Sequence, residues 1–390
     1  MYSEEDINSA VAAGAISPDA AAAFRAHMTQ VREMPRGDEE NFRLVNSFND
    51  IFVSIAIVIM LVAAGAIGQA LAGVFAPVPD FPVNTGGGEA AFDAWAQQNA
   101  YSSALSRLFS GVLVAATAWP LAELFTRRRR MALPSILLLL AFVGGVFAAL
   151  FGLGDVLVQD DNATAGALLI SAAGLIAAGA AWLHWRRFMV PITVAAGVGA
   201  LAVTVLSLIV AALDAAGMTD PSTTLLWLVF IAGLAIFALA MRWDISDRER
   251  TTRRSDVAFW LHLLAAPMIA HPVFTSLGIL GNSEEVGVGS ALAVVAIYVL
   301  FGIVALVIDR RALLVSALAY VLAALAFLFN RFGAVELNFA LTALVIGSAL
   351  LTLSAFWTPL RSRLVAALPG AWQARVPPPV VVGRAAPVPA

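Results

Sequence analysis

Long apolar runs fill most of the chain, and the turns between them carry arginine on every second side. The stretch from Ile136 to Ala149 has no charged residue and no alternation of polar with apolar. A helix must be about 20 residues long to cross a hydrocarbon layer of roughly 30 Å. In lipid every backbone N–H and C=O has to bond internally, which leaves helices and closed barrels as spanning structures. Barrel strands read as alternating segments of about ten residues, unlike these runs. Ten segments qualify as helices, at approximately 50–73, 103–125, 133–153, 164–185, 190–213, 223–242, 257–280, 289–308, 312–329 and 339–358. The expected fold class is all-α: a polytopic helical membrane protein with about ten transmembrane helices.

Arginine placement orients the ladder. Arginine beside a span favours the cytoplasmic side. Arg25, Arg32, Arg36 and Arg43 precede span 1, and Arg127 to Arg130 fill the next turn on that side. Arg186 and Arg187, then Arg242, Arg248, Arg250, Arg253 and Arg254, then Arg310 and Arg311, continue the series. Arg361, Arg363, Arg375 and Arg384 follow the last span. These are 21 of the 23 arginines, and only Arg107 and Arg331 depart from the pattern. The opposite turns carry Asp80, Glu89, Asp93, Asp155, Asp160, Asp161, Asp214, Asp220, Glu284, Glu285 and Glu336. Both termini are therefore expected on the cytoplasmic side of a bacterial inner membrane. Trp182, Trp185, Trp243, Trp260 and Trp357 fall at the arginine-bearing ends, where amphipathic rings prefer to lie.

Composition narrows the chemistry. At 61% hydrophobic and 13% charged, the chain is far more apolar than a soluble domain. The net charge of −3 points to no nucleic-acid partner. With no cysteine, disulfides, thiolate metal sites and cysteine nucleophiles are excluded. With no lysine, so are Schiff bases and a phosphate-loop lysine. No H-E-x-x-H, G-x-S-x-G or glycine-rich phosphate loop is present, so no catalytic residue, metal or cofactor is assigned. The polar first 48 residues do not read as a cleavable signal, so span 1 is expected to stay as an anchor.

Three regions follow: a cytoplasmic helical head at 1–48, a transmembrane bundle at 49–358 with an outer loop at 74–102, and a cytoplasmic proline-rich tail at 359–390. In the head, Ser3 caps a first helix, Gly14 suits its end, and Ser17-Pro18-Asp19 starts a second. Asp38 caps a third that leads into span 1. The head either packs on the inner loops or binds a cytoplasmic protein partner. In the outer loop, the stretch from Ala90 to Leu105 reads as helical. After Pro369 the tail is expected to be extended or disordered. Spans 3–4 and 5–6 are alike in glycine and alanine, in their acidic turns and in the arginines that follow. This is either a duplicated hairpin or convergent low complexity.

The run from Val11 to Ala20, Val-Ala-Ala-Gly-Ala-Ile-Ser-Pro-Asp-Ala, and the closing Trp357-Thr-Pro-Leu-Arg361 with Leu368-Pro369 resemble an uncharacterised bacterial multi-pass family, a domain-of-unknown-function class. The resemblance implies a short helical head before a ladder of membrane hairpins, and it supplies no catalytic residue.

Charge within lipid is costly, so each ionisable residue inside a span is a functional candidate. His262 and His271 share span 7 with Pro267 and Pro272. Nine residues place the histidines about 13.5 Å and half a turn apart, so they cannot share one metal. Each proline removes a backbone hydrogen bond, and a helix broken there is expected to line a polar interior. Each histidine serves a proton pathway or substrate contact, or simply bonds a neighbouring helix. Arg107 snorkels to the headgroups, pairs with an outer acid such as Asp155, or meets an anionic ligand. Glu123 is a proton-coupling carboxylate or an interfacial partner of Arg127. His184, beside Trp185 and Arg186, is read as structural.

Three functions remain open. A small-molecule transporter or permease fits the span count and the histidine helix. A non-catalytic sensor, scaffold or assembly factor fits the head. A lipid-modifying enzyme would have to use His262, His271 and Glu123. A midplane cavity reached by His271 favours the first, and a solid bundle the second. A lateral opening with histidine and carboxylate within about 3.2 Å favours the third.

Overall fold

The computed structural model describes residues 4–33, 48–81, 88–158, 162–217, 222–250, 252–278, 288–331 and 338–378. They fall into two compact units, one formed by residues 4–33 and the other by the described residues from 48 to 378. In the first unit, α1 (Glu4–Ala12) and α2 (Pro18–Glu33) form a short hairpin. Gly14 turns the chain at φ +70°, a left-handed conformation that glycine adopts without steric cost. Ser17 Oγ accepts from the Ala20 amide at 3.1 Å, and Arg25 donates to Asn8 Oδ1 at 2.7 Å. The third helix expected from Asp38 lies in 34–47, outside the described residues.

The second unit is a ladder of helices: α3 (Phe48–Phe75), α4 (Gly88–Ala122), α5 (Ala132–Val158), α6 (Ala163–Phe188), α7 (Ile192–Ala215), α8 (Ser222–Ser246), α9 (Arg253–Ser276), α10 (Val288–Ile308), α11 (Ala312–Arg331) and α12 (Asn338–Ala355). The short α13 (Trp357–Ala367) and α14 (Gly370–Gln373) follow. Among the described residues, nine helices are long and apolar enough to cross a membrane. The pair α12 and α13, bent by 71°, passes the same test only when its two helices are taken together, which would bring the count to ten. The chain is an all-α polytopic membrane protein. Its outward faces are apolar, as on α3, where Phe52, Ile55, Ile59 and Val62 are exposed and suit hydrocarbon.

The stretch between α3 and the second span is largely helical. From Gly88 it continues without a break into span 2, so that α4 runs for 35 residues. Alanine, glutamate and glutamine favour helix there. Trp95 Nε1 donates to the Pro79 carbonyl at 3.1 Å, Gln98 to that of Pro77 at 3.2 Å, and Phe81 meets the Trp95 ring edge-on at 4.8 Å. At its other end α4 passes through Pro120 into a wider π-helical turn, Glu123–Arg128.

Neighbouring rungs pack by small residues, as membrane helices do without a hydrophobic drive between them. A Cβ on Gly145 of α5 would lie 2.8 Å from the Gly111 carbonyl of α4, so the two backbones touch. Gly174 meets Thr204 of α7 as closely, whereas Gly144 and Gly179 face open space. The two similar hairpins do not pack alike: α5 lies along α6 and α6 along α7, but α7 and α8 touch little. The most enclosed span is α9, with 56% of its most apolar window buried against 17–44% for the others. It packs on α7, α8 and α11. Pro267 and Pro272 lie inside it, yet it stays one helix from Arg253 to Ser276, not the broken span that two prolines suggest. Surrounding helices and local backbone adjustment let spanning helices tolerate proline.

All four tight turns at the arginine-rich end use a non-glycine residue in the left-handed region: Arg130, Met189, Arg250 and Asp309, with φ of 54–58°. Each such residue costs about 1–2 kcal/mol against a right-handed backbone. Two of the four, Arg250 and Asp309, bond each other.

Candidate functional site

The densest polar chemistry among the described residues gathers where α8, α9, the α10–α11 turn and α13 meet at the arginine-rich end. Asp244 closes the last turn of α8. Its Oδ2 lies 2.8 Å from His262 Nε2 on α9, and its Oδ1 accepts from Arg310 Nη2 at 2.6 Å. Arg310 also donates to the Ser255 carbonyl at 3.1 Å. The three side chains are 1–3% exposed. A carboxylate paired with arginine only accepts, so His262 donates from Nε2 and its other nitrogen carries no obligatory proton. That nitrogen, Nδ1, is buried with no hydrogen-bond partner, and the Phe237 ring stands edge-on 5.1 Å away.

A second set adjoins the first through the chain itself, since Asp309 precedes Arg310. Asp309 Oδ2 accepts from Arg250 Nη1 at 2.8 Å, and Oδ1 from Trp357 Nε1 at 2.8 Å. Arg361 Nε lies 3.6 Å from the same carboxylate, and its Nη2 donates to the Pro377 carbonyl at 2.6 Å. Arg248 donates to the Gln373 and Val376 carbonyls at 3.0–3.1 Å. The proline-rich segment is thereby held to the bundle as far as residue 378, and the boundary placed at 359 falls inside α13. Asp247 Oδ2 accepts from the Thr252 amide at 3.0 Å and from its hydroxyl at 2.7 Å, fixing the start of α9. The α8–α9 and α10–α11 turns are thus fastened to each other through Arg250 and Asp309.

The residues singled out from sequence do not converge. His262 joins the set just described. His271, nine residues on, places Nδ1 2.6 Å from the Tyr320 hydroxyl of α11. Both histidines therefore bond neighbouring helices, and different ones. Pro267 is exposed on the face of α9 away from His262. Arg107 pairs with Asp155 of α5, with its guanidinium over the Phe151 ring at 5.3 Å. Glu123 accepts from Arg187 of α6 at 2.6 and 3.0 Å and from Arg127 at 3.4 Å. The π-helical turn begins at this carboxylate, which clamps α4 to α6. His184 is fully buried among Trp119, Phe142 and Phe188. A cavity of about 210 Å³ between α10, α11, α12 and α13 is lined by none of the sequence candidates.

Sequence reasoning missed Asp244, Asp309, Arg310, Arg250 and Arg361 as a site: Arg250 and Arg310 counted only as orienting charges of two turns, Arg361 as one of the tail, and the two aspartates were not singled out. One signal was there to find: Asp244, Asp247 and Asp309 lie among the arginines on that side, as Glu123, Glu249 and Asp256 also do. The hydrogen bond at the other end of α9 is an ordinary one. Tyr320→Phe should cost about 0.5–1.5 kcal/mol in denaturant unfolding of the detergent-solubilised protein, and less in a His271→Leu background, where the partner is already gone. The chain matches no protein-family model, no curated protein and no solved structure.

Proposed function

We propose that this multi-pass membrane protein is a small-molecule permease of the cell membrane, with the Asp244–His262–Arg310 set as a proton-responsive latch at the arginine-rich end. The observation that carries this reading is His262 itself. One ring nitrogen is held by a carboxylate and the other is buried without a partner, an arrangement suited to taking up and releasing a proton. Stability alone does not call for such a set: buried ion pairs replaced by well-packed apolar groups are often neutral or stabilising. The latch joins α9, the most enclosed helix, to α8 and to the α10–α11 turn, and α9 is held at its other end through His271. A shift of α9 against its neighbours would exchange these bonds, which is how a helix gates a path.

The test compares metabolites inside cells and in the medium for a gene-deleted strain carrying the wild type, His262→Gln, or Pro267→Ala with His271→Leu. Gln keeps an N–H for Asp244 but cannot carry the proton. At equal membrane abundance, both variants should reproduce the solute imbalance of the deletion. Full restoration by His262→Gln removes the proton latch, and full restoration by the α9 double variant removes the histidine at the far end. A deletion that shifts no solute across the membrane would favour the second reading, a non-catalytic sensor or scaffold. That reading rests on α1 and α2 forming a compact unit of their own.

A further inference from the structure

The cavity between α10, α11, α12 and α13 has features that a merely imperfect packing gap does not need. Leu314 and Leu318 of α11 and Leu350 and Leu353 of α12 make its walls aliphatic. They run from the arginine-rich end about 10 Å into the span, the rise of seven residues from Arg311 to Leu318. Arg311 stands at its rim, exposed, with its guanidinium 4.7 Å from the centre of the Trp357 ring. Among the described residues Arg311 has no carboxylate partner, unlike Arg250, Arg310 and Arg361 beside it. The Tyr298 hydroxyl, on the α10 side, is buried without a hydrogen-bond partner. The cavity is partly open, and Val315, which also lines it, is 66% exposed.

A slot with aliphatic walls, one uncompensated cation at the membrane interface and one unsatisfied donor inside is complementary to an amphiphile with a negative head, apolar tail and acceptor between them. We propose that this slot binds one anionic phospholipid from the leaflet on the arginine-rich side. Its phosphate sits on Arg311, an ester carbonyl accepts from the Tyr298 hydroxyl, and an acyl chain lies along Leu314, Leu318 and Leu353. Trp357 holds the guanidinium in place from below through its ring face. Its own Nε1 is already committed to Asp309, so the lipid sits directly against the Arg250–Asp309 turn. The proposal is independent of whether the protein transports anything.

Native mass spectrometry of the full chain, purified in mild detergent and offered equal dioleoylphosphatidylglycerol and dioleoylphosphatidylcholine, tests it. One phosphatidylglycerol per chain should be retained, and Arg311→Gln should lower that retention about tenfold, the low end for a hydrogen bond to a charged group. Tyr298→Phe should lower it less. Arg128→Gln, at an exposed arginine in another turn of the same face, should leave it unchanged. Leu318→Trp, which fills the slot, should abolish it. Equal retention of the two lipids, retention unaffected by Arg311→Gln, or equal loss with Arg128→Gln would overturn the site. So would equal binding of glycerol 3-phosphate alone, which would show that the acyl walls contribute nothing. Should Leu318→Trp fail to fold, the contrast between Arg311→Gln and Arg128→Gln still decides.

Discussion

Asp244→Ala should destabilise the protein by about 3–5 kcal/mol, because it leaves Arg310 charged and His262 without its acceptor in an enclosed site. The measure is denaturant or thermal unfolding of the detergent-solubilised protein. Both partners are 2–3% exposed, so water cannot replace the carboxylate without opening the contact between α8, α9 and the α10–α11 turn. The informative comparison is the triple variant Asp244→Leu, His262→Phe, Arg310→Met. Removing every charge together removes the desolvation cost along with the attraction, and such replacements are commonly neutral or stabilising by about 1–4 kcal/mol. The triple variant should therefore be at least as stable as the wild type while losing the solute balance that the permease maintains. If the triple variant is instead as unstable as Asp244→Ala, the set is a structural fastening and its assignment as a latch fails.

The second large effect is steric. Gly145→Val should separate α4 from α5 and cost about 1–3 kcal/mol, the usual penalty for an added side chain in a filled contact. The Gly145 Cβ position already lies 2.8 Å from the Gly111 carbonyl and 2.9 Å from the Ala115 amide nitrogen, both backbone atoms that cannot swing aside. Gly144→Val makes the same chemical change one residue earlier, where no atom lies within 4 Å. It should be tolerated, within about 0.5 kcal/mol, as surface substitutions usually are. Equal loss at the two positions would mean that helix propensity, not contact between α4 and α5, sets the response.

How far the fold could be read from the chain follows from the range of the forces involved. Crossing a bilayer is a local requirement of length and apolarity, so the runs at 133–153 and 289–308 coincide with α5 and α10 to within a few residues at each end. The helical reading of 90–105 was local too. Its continuity with span 2 was not, since Trp95 and Gln98 reach back to the chain after α3. The two prolines of α9 show the opposite failure. Local rules predict a break, but a helix enclosed by α7, α8 and α11 holds its line.

Sequence alone determined the solvent and the count: an all-α ladder of about ten apolar helices, with arginine concentrated at alternate turns. It also marked His262, His271, Arg107 and Glu123 as groups that had to find partners in an apolar setting. Only the tertiary structure decided which partners. Asp244 meets His262 across 18 residues and Arg310 across 66, and Arg107 meets Asp155 across 48. Such pairings depend on the rotation and approach of whole helices, which are set by where glycine lets two backbones touch. No periodicity along the chain encodes them. An acid in an arginine-rich turn looks solvated until the packing of α8, α9 and α13 removes the water from it.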